Sequence, residues 1–252
     1  MAFLVVSSSP AMASSRSSGS LSYAGSTTTT AGMLDVGMVF NTVAAEMPGT
    51  IRGYTAQFHS VYTGTQSGII SVVLGQSPQP GQAPLREIRA YVPSSNIVNV
   101  TPGAGVTSYP ATAPPSTVTG FVTGGGAWTP GRTYRLRTRQ IARPSGGRRF
   151  RVSVTNVVTG GERVIVDFTR MTLDALSLGA VANVSAQNES TCASLYDARA
   201  SIDRPVGVRG SDGATVVATP SPLFYAGPAA SYNCPASQRR ISTDRIVIDV
   251  GR

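Results

Sequence analysis

The chain has 252 residues, of which only 13% are charged, and its 21 basic against 12 acidic residues give a formal net charge of +9. Two cysteines and a single histidine exclude a four-ligand Cys/His zinc site. No run of about eighteen apolar residues is present to cross a membrane as a helix. Every basic residue is arginine, and lysine is absent. Such a positive field favours acidic partners, while the total loss of lysine points to a GC-rich codon bias as the source of the arginines.

In chain order, MAFLVVSSSPAMASS places an A-x-A pattern (Ala11-Met12-Ala13) after a short apolar run, and residues 1–13 are expected to be the remnant of a secretory signal peptide. Residues 14–32 form a Ser/Thr/Gly-rich segment with little to bury, expected to be flexible. From residue 33 to 252 a single all-β domain is expected. MLDVGMVF, TAQFHSVY, GIISVVLGQ and REIRAYV carry apolar residues at strand spacing. SPQPGQAP (Ser77 to Pro84) and the stretch from Thr101 to Pro115 are expected as loops. STVTGFV reads as a strand, and GGGAWTPGR reads as a turn.

The next segment is the most informative. In RTYRLRTRQ, Tyr134, Leu136 and Thr138 alternate with Arg135, Arg137 and Arg139. In RRFRVSVTNV, Phe150, Val152 and Val154 alternate with Arg149, Arg151 and Ser153. A period of two puts the first set of each strand inward and the second set outward. The RPSGG turn joins the two strands, so both arginine rows share the solvent face. Glu162, Asp167 and Glu87 are the carboxylates expected to neutralise them. GERVIVDFTRM continues as a strand with Val164, Val166 and Phe168 on one face. Leu173 to Val184 fits a strand better than a short helix. The C-terminal part is expected to be loop-rich. GSDGA is a turn there, ATPSPLFYAGPAASYNCP is too proline-rich for regular structure, and TDRIVIDVGR is a last strand.

These elements predict an antiparallel β-sandwich of jelly-roll type. Cys192 and Cys234 are expected to form one disulfide in an exported chain. No G-x-S-x-G, H-E-x-x-H or P-loop motif occurs, so no catalytic residue, metal or cofactor is assigned. Tyr54, His59, Tyr62 and Trp128 are the candidate sugar-stacking and sugar-binding residues. Arg135, Arg137, Arg139, Arg149 and Arg151 are the candidate anion-binding row. No aromatic interleaves with that row, which disfavours nucleic acid.

GYTAQFHS with GTQSGIISVVLGQ, GGGAWTPGRTYRLRT, and RVSVTNVVTGGERVIVDF together resemble concanavalin A-like (laminin-G-like) β-sandwich domains of secreted bacterial proteins, over roughly Val39 to Pro205. The resemblance implies a sandwich in which sugars bind on the concave face or at loop tips. The expected function is therefore a secreted, non-catalytic module that binds carbohydrate or an anionic cell-surface polymer. The alternatives are an enzyme (lyase or glycoside hydrolase) degrading acidic polysaccharide, and a structural surface or particle-assembly protein.

Overall fold

The computed structural model describes residues 15–24, 33–41, 51–63, 69–79, 82–93, 96–110, 118–124, 127–172, 175–188, 198–226, 236–240, 242 and 245–250. They form strands and turns throughout. In chain order the strands are β1 (Ser15–Ala24), β2 (Met33–Asn41), β3 (Ile51–Thr63), β4 (Ile69–Gln79), β5 (Gln82–Pro93) and β6 (Ile97–Pro102). There follow β7 (Val106–Pro110), β8 (Val118–Thr123), β9 (Thr133–Ala142), β10 (Arg148–Asn156), β11 (Glu162–Arg170) and β12 (Ala175–Asn188). The last are β13 (Ala198–Asp203), β14 (Val206–Arg209), β15 (Thr215–Val217), β16 (Thr219–Ala226), β17 (Ala236–Arg240) and β18 (Arg245–Val250).

All pairings are antiparallel, and they resolve into two sheets. The first runs β7-β8-β5-β4-β3-β12-β1-β16. The second runs β6-β11-β10-β9-β2. The far side of β2 is shared by β14, which carries β15, and by β13, which carries β18 and β17. A bridge between Leu176 of β12 and Met33 of β2 links the two sheets. They pack face to face, with β11 against β5 and β8 and β9 against β4. The protein is a β-sandwich, as its alternating strands predict.

The core lies between the sheets. Ile70, Val72, Leu74, Ile88, Ala90 and Phe121 of the first sheet meet Leu136, Phe150, Val152, Val166 and Phe168 of the second. The Phe150 and Phe168 rings sit 5.7 Å apart at a tilt of 38°. That is a favoured aromatic geometry on directly opposed residues of β10 and β11. Burial on β9 follows its period-two pattern, with Tyr134, Leu136 and Thr138 inside.

Several local expectations are corrected. Ser15–Ala24 is a strand paired with β12 and β16, not a flexible segment. Ser77 to Pro84 is mostly strand, because β4 and β5 form one long hairpin closed at Gln79 and Gln82. An irregularity between Ser77 and Gln79 accommodates Pro78, which has no amide proton to give to the ladder. Thr101 to Pro110 contains the end of β6, a turn in which Val106 N donates to Gly103 O, and β7. Thr219–Ala226 is also a strand despite two prolines. Among the described residues β16 pairs with β1 alone, so its prolines sit on a sheet edge with a register shift beside them. Leu173 to Val184 resolves as strand from Ala175 onward, and the GSDGA turn closes the β14–β15 hairpin.

Candidate functional site

The outer face of the second sheet carries the arginine rows, because the inward sets of β9 and β10 are committed to the core. Cross-strand register sets Asp35 opposite Arg139, Arg139 opposite Arg151, and Arg151 opposite Asp167. The row thus runs acid, arginine, arginine, acid. Like charges face each other only at its centre, where they cost stability unless compensated.

Compensation is built in. Arg151 is held by Asp167 through two bonds of 2.8 Å, from Nε to Oδ1 and from Nη2 to Oδ2. Arg137 makes a bidentate pair with Asp35, its Nε lying 2.8 Å from Oδ1. Arg139 Nη2 lies 3.3 Å from Glu162 Oε2, and the other oxygen of Glu162 accepts from Ser153 Oγ at 2.7 Å. Hydrogen bonding to Asp35 and Asp167 raises the already high pKa values of Arg137 and Arg151. Ser153 was expected to be exposed. A β-bulge between Val152 and Ser153 and the bond to Glu162 bury it instead.

Of the five candidate anion-binding arginines, Arg137, Arg139 and Arg151 are thus ion-paired inside the protein. Arg149 Nη2 reaches Thr101 Oγ1 at 3.4 Å. Arg135 is exposed and has no ion pair among the described residues. It borders a cleft of about 420 Å³ lined by Asp35, Gly37, Arg135, Arg137, Asp203, Arg204, Val206 and Val208.

Position 37, which has no side chain, lines the cleft. Register places Gly37 between Arg137 on β9 and Val206 on β14. A Cβ there would stand 3.4 Å from the Leu136 carbonyl and 3.7 Å from the Cγ atoms of Arg135 and Arg137. The backbone of Gly37 is not in the left-handed region, so the glycine is not a turn requirement. Glycine inside a strand commonly marks close approach by another group. The cleft's edge continues onto Val206 and Val217, which are cross-strand partners and 42% and 44% exposed. No aromatic residue lines it among the described residues.

The six acidic residues whose side chains are described are all held by arginine: Asp35, Glu87, Glu162, Asp167, Asp203 and Asp212. Hydrogen bonding to Arg209 lowers the pKa of Asp212. No group of three His, Cys, Asp or Glu among the described residues is placed to hold a metal ion.

Of the candidate sugar-binding residues, Trp128 is the one whose side chain is described. Trp128 is 1% exposed, and its indole Nε1 donates to Gly75 O at 2.9 Å. It is a packing residue whose polar edge is satisfied, not a stacking surface. Tyr54, His59 and Tyr62 lie on β3, paired across to Gln76, Ser71 and Leu176 respectively. Their side chains are outside the described residues, as are Cys192 and Cys234 with their expected disulfide.

No family model matches the sequence, and no curated protein matches it. Among solved structures the chain is similar in outline to SCP-B, a member of the eqolisin family of peptidases in complex with the tripeptide Ala-Ile-His, at 10% identity and a TM-score of 0.42. That match covers 93% of this chain and 97% of the other. It is also similar to scytalido-glutamic peptidase with a transition-state analog inhibitor, at 12% identity and a TM-score of 0.44, covering 94% and 97% of the two chains. Likeness at this level carries no assignment of chemistry. The expectation of a non-catalytic carbohydrate-binding module, with polysaccharide as partner, is nevertheless withdrawn. The similar structures are peptidases rather than carbohydrate modules. The one candidate stacking residue with a described side chain, Trp128, is buried.

Proposed function

We propose that the protein recognises polypeptide segments carrying an acidic residue, received in the cleft above Gly37. The observation that supports this reading is the glycine itself. It opens a gap in a face otherwise covered by arginine stems, beside Arg135, which has no ion pair among the described residues. A guanidinium at the mouth suits a carboxylate in a bidentate bond. Val206 and Val208 offer an apolar wall for a neighbouring side chain, and the exposed Val206–Val217 pair extends it. Among the described lining residues there is no ring of the kind that a sugar or base would stack on. The finer placement of the sandwich among concanavalin A-like domains belongs to the same proposal and rests on the GGGAWTPGRTYRLRT stretch.

Calorimetric titration with short peptides that differ only by Glu or Gln between two valines tests the reading. The acidic peptide is expected to bind at least about tenfold more tightly, the scale of one charge-assisted bond. Gly37→Val suits a strand, fills the cleft and is expected to abolish binding, and Arg135→Gln is expected to erase the Glu preference. Equal binding of both peptides by the native protein would sink the proposal. Mass spectrometry of the recovered peptide shows whether it is bound intact or cleaved.

A further inference from the structure

A second pocket, of about 230 Å³, opens at the end of the sandwich and is lined by residues of both sheets. Ile88 belongs to β5 of the first sheet. Tyr134, Val154, Asn156 and Arg163 come from β9, β10 and β11 of the second, and Trp128 and Thr129 come from the loop before β9. None of its residues lines the cleft above Gly37.

The hydrogen-bond inventory of this lining is one-sided. Tyr134 Oη accepts from the backbone N–H of Thr129 at 2.7 Å, which leaves its own hydroxyl proton to donate. Asn156 Oδ1 accepts from the backbone N–H groups of Val158 at 3.0 Å and Thr159 at 3.3 Å. Those two bonds fix the amide orientation, so Nδ2 carries the donors that remain. Arg163 gives one nitrogen, Nη1, to Thr123 Oγ1 at 2.8 Å and has no ion pair among the described residues. A second guanidinium, that of Arg86, lies over the Trp128 ring at 6.0 Å from its centroid. Among the described residues no carboxylate lines the pocket. The Tyr134 hydroxyl, the Asn156 amide and the Arg163 guanidinium all have protons left to donate, one group being cationic, and together they suit an acceptor-rich anion.

We propose that this pocket binds a small oxyanion, either the carboxylate of a small organic acid or a phosphate. Arg163, the Tyr134 hydroxyl and the Asn156 amide donate to its oxygens. The volume lies below the range usual for drug-sized ligands, which limits the occupant to a few non-hydrogen atoms.

Trp128 is the only tryptophan in the chain and lines the pocket, so its emission reports occupancy directly. The native protein is titrated with succinate and, separately, with inorganic phosphate, at constant ionic strength held with sodium chloride. A saturable emission change with either anion, absent when only chloride is raised, is expected. The anion with the lower Kd identifies the source. Asn156→Asp keeps an oxygen for the two turn amides but sets a negative charge where Nδ2 was, and is expected to weaken binding at least about tenfold. Arg163→Gln, on an exposed side chain with little bearing on folding, is expected to do the same independently. Arg143→Gln, in the exposed RPSGG turn away from the pocket, is expected to leave the titration unchanged. A change that never saturates, or equal Kd values for the native protein and Arg163→Gln, overturns the proposal.

Discussion

The indole Nε1 of Trp128 donates to the carbonyl of Gly75 across 2.9 Å, and so ties a loop leading into one sheet to a strand of the other. The two residues are 53 apart in sequence. Both are buried, and nothing in the local pattern GGGAWTPGR announces the partner. The contact accounts for an aromatic side chain that resembles an exposed binding residue in sequence and is a cross-sheet fastener in space.

Trp128→Phe is expected to keep the packing and lose the bond, leaving the Gly75 carbonyl buried without its donor. Such an orphan costs about 1–3 kcal/mol. For a chain of this length each kcal/mol lowers the thermal midpoint by about 2–4 °C. Calorimetric melting of the variant checks this, and an unchanged midpoint means the bond contributes nothing.

Gly103 sets the turn between β6 and β7, and its N–H donates to Ile165 O at 3.0 Å. A Cβ at this position would be driven into the Val164 backbone carbonyl, whereas one at Gly124 meets nothing within 4 Å. Gly103→Ala is therefore expected to destabilise by about 1–3 kcal/mol or more, since a backbone atom cannot swing aside as a side chain can. Gly124→Ala is expected to be near neutral. Urea unfolding of the pair measures the contrast, and equal midpoints would show that the β6–β7 turn relaxes freely.

The Arg151–Asp167 pair tests how the arginine row is tolerated. The two side chains are 29% and 12% exposed, so water screens them less than a surface pair. A double-mutant cycle with Arg151→Met and Asp167→Asn is expected to give a coupling of about 1–2 kcal/mol, above the ~0.2–1 of exposed pairs. Arg151→Met alone is expected to cost more than Asp167→Asn alone, because it strands the more buried charge. The same cycle on the exposed Arg209–Asp212 pair of the β14–β15 hairpin is expected to give a smaller coupling. If the hairpin pair couples as strongly, burial is not what strengthens the row.

Much of the fold is legible from residue periodicity. The alternation Tyr134-Arg135-Leu136-Arg137-Thr138-Arg139 decides which face is core and which is wet, and that follows from the pleat alone. The β-sandwich class follows from several such strands with turns between them. The partners of that wet face are another matter. Asp35 sits 102 residues from the arginine it binds, and only the pairing of β2 with β9 brings them together. The gap above Gly37 is equally invisible, because a glycine reads as a cleft only once its neighbours across the sheet are known. The strands at Ser15–Ala24 and Thr219–Ala226 escaped a reading based on composition, since small residues and prolines disfavour strands in isolation. The ladders they join supply hydrogen bonds that outweigh those local preferences. Sequence thus determined the strand faces, the all-β class and the arginine surface, for these depend on side chains two residues apart. Tertiary structure decided which charges are cancelled, which aromatic is buried and where the face opens, because those depend on residues that only the register of distant strands makes neighbours.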